Sequence, residues 1–147
     1  MKIIYINFVV LIMLCFINCS LKKELNKFDC VSIENEGYVK LKITKQIKHL
    51  EYNIESACKD AIKAILYSGY TSLQCQTQKP ILKQTTDFEN FRKIQSKFFS
   101  KNGSWKLFVQ YNSIEQKTNE YLILINKEQL RKYLEEQKII KSLNTGF

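Results

Sequence analysis

Residues 53–69 read NIESACKDAIKAILYSG, and residues 37–47, just before them, read GYVKLKITKQI. The period of the apolar residues changes between the two. In the longer stretch Ile54, Ala57, Cys58, Ala61, Ile62, Ile65 and Leu66 recur every three or four positions, laying one apolar stripe along a helix. Asn53 is placed to cap its start and Gly69 to end it in a left-handed turn. In the shorter stretch Val39, Leu41 and Ile43 alternate with Lys40, Lys42 and Thr44, the pattern of a half-buried strand. A one-sided strand and a one-sided helix can bury each other. The small side chains of Ala57 and Ala61 let the two approach closely. This pairing sets the fold class as α+β.

Further along, residues 71–78 (TSLQCQTQ) alternate weakly and predict a strand, with Leu73 and Cys75 on one side. Thr86 and Glu89 have the spacing of a capping box. Behind them Phe88, Phe91, Gln95 and Phe98 form a helical stripe flanked by Ile94 and Phe99. Residues 105–114 (WKLFVQYNSI) predict a strand, with Trp105, Leu107, Val109 and Tyr111 on its core face and Lys106, Phe108 and Gln110 on the other. Residues 120–126 (EYLILIN) are apolar on both faces and predict a central strand, joined to the previous one by the polar turn EQKTN. Asn126 and Gln129 open a last helix with a stripe of Leu130, Tyr133, Leu134, Gln137 and Ile140. The expected order is β-α-β-α-β-β-α. It forms a two-layer sandwich, a mostly antiparallel sheet of about four strands under three helices. The first strand-helix-strand suits a right-handed parallel unit.

The chain opens MKIIYINFVVLIMLCFINCSLKK. Lys2 precedes an apolar run from Ile3 to Ile17, broken only by Asn7. The run is shorter than the roughly 20 residues that span a bilayer. A positive start, an apolar middle and an abrupt polar end describe an export signal. Phe16, Ile17 and Asn18 offer no small-residue cleavage site. The segment FINC, residues 16–19, instead resembles the lipobox of bacterial lipoproteins, although Phe16 and Asn18 depart from the Leu and the small residue that family prefers. The resemblance implies lipidation of Cys19 and a membrane anchor at the bacterial inner or outer membrane. An uncleaved anchor and ordinary secretion are the alternatives. The expected organisation is a signal peptide over 1–18, a polar tether over 19–30 containing LKKELNK, and one α+β domain over 31–147. The stretches ACKDAIKAILYSGY, KFFSKNGSWKLFV and LRKYLEEQKIIKSLNTGF also make the chain similar to small lipoproteins of the Bacteroidota, a resemblance that implies no activity.

The net charge is +9, but Arg92 and Arg131 are the only arginines. Lysine lacks the planar fork that reads phosphate and bases bidentately. A chain rich in Ile, Asn and Lys together also reflects AT-biased coding. Aromatic–lysine interleaving in NGSWKLFVQY resembles single-strand binders, yet an export signal directs the chain away from nucleic acid. Beyond Cys15 and Cys19 the cysteines are Cys30, Cys58 and Cys75. Export permits disulfides, but three thiols cannot all pair within the chain. Which pair forms stays open, with core packing the expected role of Cys58. The cysteines lack C-x-x-C spacing and His49 is the sole histidine, so no zinc site is expected. His49 reads as a surface residue. Phosphate-loop, nucleophile-elbow and zinc-protease motifs are missing, so neither an enzyme nor a cofactor is expected. The terminal Phe147 resembles the end of outer-membrane barrels, but a helix precedes it and one hairpin makes no barrel. Two functions remain. The first is an envelope lipoprotein whose small α+β domain binds another protein or stabilises an assembly. The alternative is a binding module for an anionic polymer or lipid headgroup, using Lys40 and Lys42 on the outer strand face.

Overall fold

A computed structural model describes residues 27–34, 37–44, 52–70, 72, 74–114 and 120–142. The signal segment, Cys15, Cys19, the first part of the tether, His49, the turn at 115–119 and the NTGF terminus lie outside the described residues. Four strands form one antiparallel sheet: β1 Lys27–Glu34, β2 Tyr38–Thr44, β3 Val109–Ile114 and β4 Glu120–Asn126, in the spatial order β1-β2-β4-β3. Three α-helices accompany them: α1 Ile54–Lys63, α2 Thr85–Phe98 and α3 Lys127–Glu136. The α+β class, the antiparallel four-stranded sheet and the three helices are those expected from sequence.

The register shows why one face is covered. Val39, Leu41 and Ile43 stand opposite Ile125, Ile123 and Tyr121. Phe28 and Cys30 of β1 join the same face opposite Ile43 and Leu41. Val39, Leu41, Ile43, Ile123 and Ile125 are all buried under Ala57, Cys58, Ala61 and Ile62 of α1 and Leu130 and Leu134 of α3. Each fully buried Leu or Ile contributes about 1.5–3 kcal/mol. The alternate positions Lys40, Lys42, Leu122 and Leu124 are half-buried on the far face. Strand β4 is central, as its two apolar faces imply.

Helix ends follow the sequence signals closely. Asn53 Oδ1 accepts from the Ser56 N–H at 3.0 Å, and Asn126 Oδ1 from the Gln129 N–H at 2.8 Å. Helix α1 runs on as one wide turn over Ala64–Ser68 and stops at Gly69, whose φ is +69°. A Cβ at Gly69 would strike the Gln78 carbonyl. The wide turn leaves the Ile65 and Leu66 carbonyls to accept from the N–H groups of Ile81 and Leu82, each at 3.1 Å. The cap of α2 lies two residues earlier than Thr86 and Glu89 suggest. Gln84 precedes the helix, and the buried Asp87 carboxylate accepts from the Lys83 and Gln84 N–H groups at 2.9 Å. The spacing of three is kept, and the shorter Asp reaches back to the chain from inside the fold.

Four expectations need correction. The described residues of 71–78 do not form a sheet strand. Gln78 makes an isolated bridge to Tyr70, and Ser72 and Cys75 are fastened to β1. With Gln74, Gln76, Thr77 and Gln78 along it, the segment has too little apolar surface to occupy a sheet position. The fourth strand is β1 instead, so the proposed tether over 19–30 overlaps the sheet from Lys27. Its alternation was masked because the pairing shifts between Cys30 and Ser32, which breaks the period of two. No parallel pair occurs among the described strands; β1 and β2 form a hairpin through Gly37, at φ +76°. Finally, residues 104–108 are a 3₁₀ turn rather than the start of a strand. Its period of three brings Trp105 and Phe108 inward and turns Leu107 out, 67% exposed.

Candidate docking cleft

Gly103 opens the 3₁₀ turn because a Cβ there would meet the Phe98 carbonyl. The turn is fixed at both aromatic residues. Trp105 Nε1 donates to the Ser100 carbonyl at 2.9 Å. The Phe108 ring stacks on Phe98 at 6.2 Å and lies 5.3 Å from the Tyr133 ring. Beyond the turn the chain enters β3, an edge strand of the sheet among the described residues. Between β3, the turn and α1 lies an open cleft of about 250 Å³. Ile54, Cys58, Trp105 and Val109 supply its apolar wall, with Glu55, Lys106 and Tyr111 also lining it. Tyr111 is 59% exposed. It was expected in the core; it does lie on the covered face opposite Ile123, but on the edge strand, where the cleft separates it from α1.

Lysines gather at this cleft. Lys59 Nζ lies 5.4 Å and Lys106 Nζ 5.5 Å from the centre of the Trp105 ring. Lys59 also pairs with Glu55 Oε1 at 2.7 Å, one helical turn back. That hydrogen bond, foremost, holds the Glu55 carboxyl below its ordinary range; desolvation opposes it, and the charges of Lys59, Lys106 and Lys101 add to it. Next along α1, Lys63 pairs with Asp60 at 3.0 Å and lies 5.7 Å from the Phe99 ring. Tyr52 donates to Asp60 Oδ2 at 3.1 Å. Burial, then the Asp60 carboxylate, raises the Tyr52 hydroxyl. At the inner wall burial pushes the Cys58 thiol up to about 11, so it is protonated near neutral pH and a poor nucleophile.

The sheet's outer face looks different. Lys40 and Lys42 share it as expected, both half-buried. Lys42 Nζ is 3.5 Å from Glu120, and Asp29 stands beside Lys42 in the register while pairing with Lys27 at 3.4 Å. Leu122 and Leu124 lie between these charges and β3. The face therefore alternates positive, negative and apolar groups. A separate, small cleft of about 110 Å³ is lined by Lys83, Asp87, Arg131 and Lys141, with Arg131 held by Glu135 at 3.0 Å.

The loop at 74–78 is fastened to β1 by a Cys30–Cys75 disulfide spanning 45 residues, with Cα atoms 6.0 Å apart. Ser72 Oγ donates to the Cys30 carbonyl at 2.8 Å and accepts from the Cys75 N–H at 3.1 Å. Cys58 is the free, buried cysteine among the described residues. No group of three His, Cys, Asp or Glu side chains able to hold a metal occurs among those residues. No helix among them is long and apolar enough to cross a membrane.

The sequence drew attention to NGSWKLFVQY but not to its partners Ile54, Glu55 and Lys59. The i, i+3 spacing of Trp105 and Phe108, read as a 3₁₀ period, is the signal that exposes Leu107 and opens the cleft. Comparison with protein-family models, curated proteins and solved structures returns no match to this chain.

Proposed function

We propose that this chain is a bacterial envelope lipoprotein, anchored through Cys19, whose α+β domain binds another protein through the cleft beside β3. The observation that carries the docking half is an apolar cleft at a sheet edge, lined by the well-exposed Tyr111 and by a turn whose next residue after Lys106, Leu107, is also exposed. Exposed apolar surface concentrated in one place marks interaction sites. Export is supported by the signal-like start and by the disulfide, which persists in oxidising compartments. A binding role rather than catalysis fits the protonated Cys58 thiol, the only cysteine side chain of the cleft. The alternative, an anionic polymer or headgroup at Lys40 and Lys42, is disfavoured by Asp29 and Glu120 on the same face.

The test expresses the full chain in a bacterium with the lipoprotein pathway, with a palmitate analogue in the medium and a photocrosslinker at position 107. Two or more acyl chains anchor stably where one is marginal. Label on the wild type, none on Cys19→Ser, and a discrete adduct from position 107 are expected. Unlabelled wild-type protein contradicts the anchor; no adduct from position 107 contradicts the docking reading.

A further inference from the structure

The composition of the cleft says what kind of segment it takes. Its walls are apolar, and its volume suits one or two large side chains rather than a whole helix. Its mouth is basic. Lys59 and Lys106 both stand over the Trp105 ring, and Lys101 is close enough to act on the Glu55 carboxyl. Lys101 and Lys106 are exposed, so they present their charge to solvent. Among the described residues Glu55 is the only acidic one lining the cleft, and Lys59 already engages it. Lys59 is thus engaged by Glu55 at 2.7 Å, while Lys101 and Lys106 are exposed, Lys106 lining the cleft next to Leu107 in the chain.

We propose that the cleft binds an acidic segment of a partner protein, with an aromatic or aliphatic anchor in the pocket formed by Ile54, Trp105 and Val109 and flanking carboxylates on Lys101 and Lys106. This rests on the docking reading above. Apolar burial supplies the anchor's share of the affinity, and charge complementarity sets the choice of partner and speeds its arrival. A bare polyanion leaves the apolar walls wet. An uncharged apolar chain leaves the lysines without partners.

Trp105 is the only tryptophan in the chain, so its emission reports occupancy directly. The full chain in detergent is titrated with tryptophan-free 12-residue peptides. One carries Phe and Leu among Asp and Glu; one replaces the acids with Lys; one replaces Phe and Leu with Ser. Laurate and oligothymidylate are titrated alongside. The expected result is a saturable change with the acidic apolar peptide alone, weakened about tenfold between low and moderate salt as exposed charges are screened. Lys101→Glu with Lys106→Glu, two exposed positions, should lose the acidic peptide at least tenfold and gain the lysine peptide. Equal response to the acidic and lysine peptides, tighter binding of laurate or oligothymidylate, or no saturable change overturns the proposal. A crosslinked protein from position 107 together with any of those outcomes leaves the docking reading standing and removes only the acidic partner. Its absence removes both.

Discussion

The two edges of the sheet are finished in different ways. At β1 the edge is tied down at Cys30. A disulfide ties Cys30 to the loop at Cys75, and Ser72 takes the Cys30 carbonyl. At β3 no loop is fastened across among the described residues. The strand borders a cleft with exposed Leu107 and Tyr111 and three lysines nearby. Both edges belong to one core, and both expose some apolar surface, Ile33 on β1 being 48% exposed; β1 carries a covalent tie at Cys30, whereas β3 borders an apolar cleft with lysines at its mouth. An unprotected strand edge invites pairing with other chains, and proteins manage that hazard by covering, bulging or charging it. Here both edge strands carry a register shift, β1 between Cys30 and Ser32 and β3 between Tyr111 and Ser113; β1 adds the disulfide-tied loop and β3 a basic rim. The cost of leaving β3 open makes sense where the edge has a partner to meet.

The comparison can be broken at its common support first. Ala61 is fully buried where α1 meets the sheet. Ala61→Lys would place an unpaired charge there, costing upwards of about 4 kcal/mol. Both edges should unfold together, with the thermal midpoint falling far below wild type. A midpoint within a degree or two of wild type would put α1 somewhere else.

The tied edge is tested next. Closing a 45-residue loop constrains the unfolded chain by about 4 kcal/mol in the chain-entropy model. Cys30→Ala with Cys75→Ala should lower the urea midpoint accordingly, and reduction of the wild type should reproduce the effect. Because Cys58 takes no part, Cys58→Ala should keep its sensitivity to reductant.

The inner wall of the open cleft gives a pH signature. The folded Cys58 thiol ionises near 11 rather than its ordinary 9. Above pH 9 the unfolded chain loses that proton while the folded chain keeps it, so stability falls as pH rises from about 9 to about 11. The Cys58 share is on the order of 1–2 kcal/mol. Tyr70, raised by burial to about 12, extends the loss to higher pH. Urea unfolding of wild type and Cys58→Ala at pH 8 and pH 10.5 isolates the share. Equal pH sensitivity of the two proteins would place Cys58 in a solvated position.

How far these edges could be read from sequence follows from their periods. Helix α1, strand β2 and strand β4 repeat cleanly because each has one continuous partner, so Asn53, Gly69, Val39–Ile43 and Asn126 were legible. Strand β1 was not, since its pairing slips at Val31 and one of its apolar residues is a cysteine whose partner lies 45 residues away. Disulfide partners depend on tertiary approach, which spacing alone does not encode. The cleft was half legible. Trp105 and Tyr111 stood out, but a strand period hid the 3₁₀ turn, and Glu55 and Lys59 come from a segment some fifty residues earlier. Lys40 and Lys42 were placed on the right face, but their carboxylate neighbours Asp29 and Glu120 come from β1 and β4.

The smallest expected effect on stability is at the open edge itself. Leu107 is 67% exposed, so Leu107→Ser should change stability by no more than about 0.5 kcal/mol. It should still weaken the acidic apolar peptide severalfold. A large loss of stability would mean that Leu107 is covered in the native protein.

Hydrogen exchange of the oxidised full chain, with and without saturating acidic apolar peptide, tests the contrast between the edges most directly. Backbone amides of Val109–Tyr111 and of the Ser104–Phe108 turn should gain protection when the peptide is present. Those of Lys27–Cys30 should be slow to exchange in both states, because the disulfide already holds that edge. Protection gained at Lys27–Cys30 or at Lys40 and Lys42, with none at Val109–Tyr111, would contradict the account and move the binding face to the other side of the sheet.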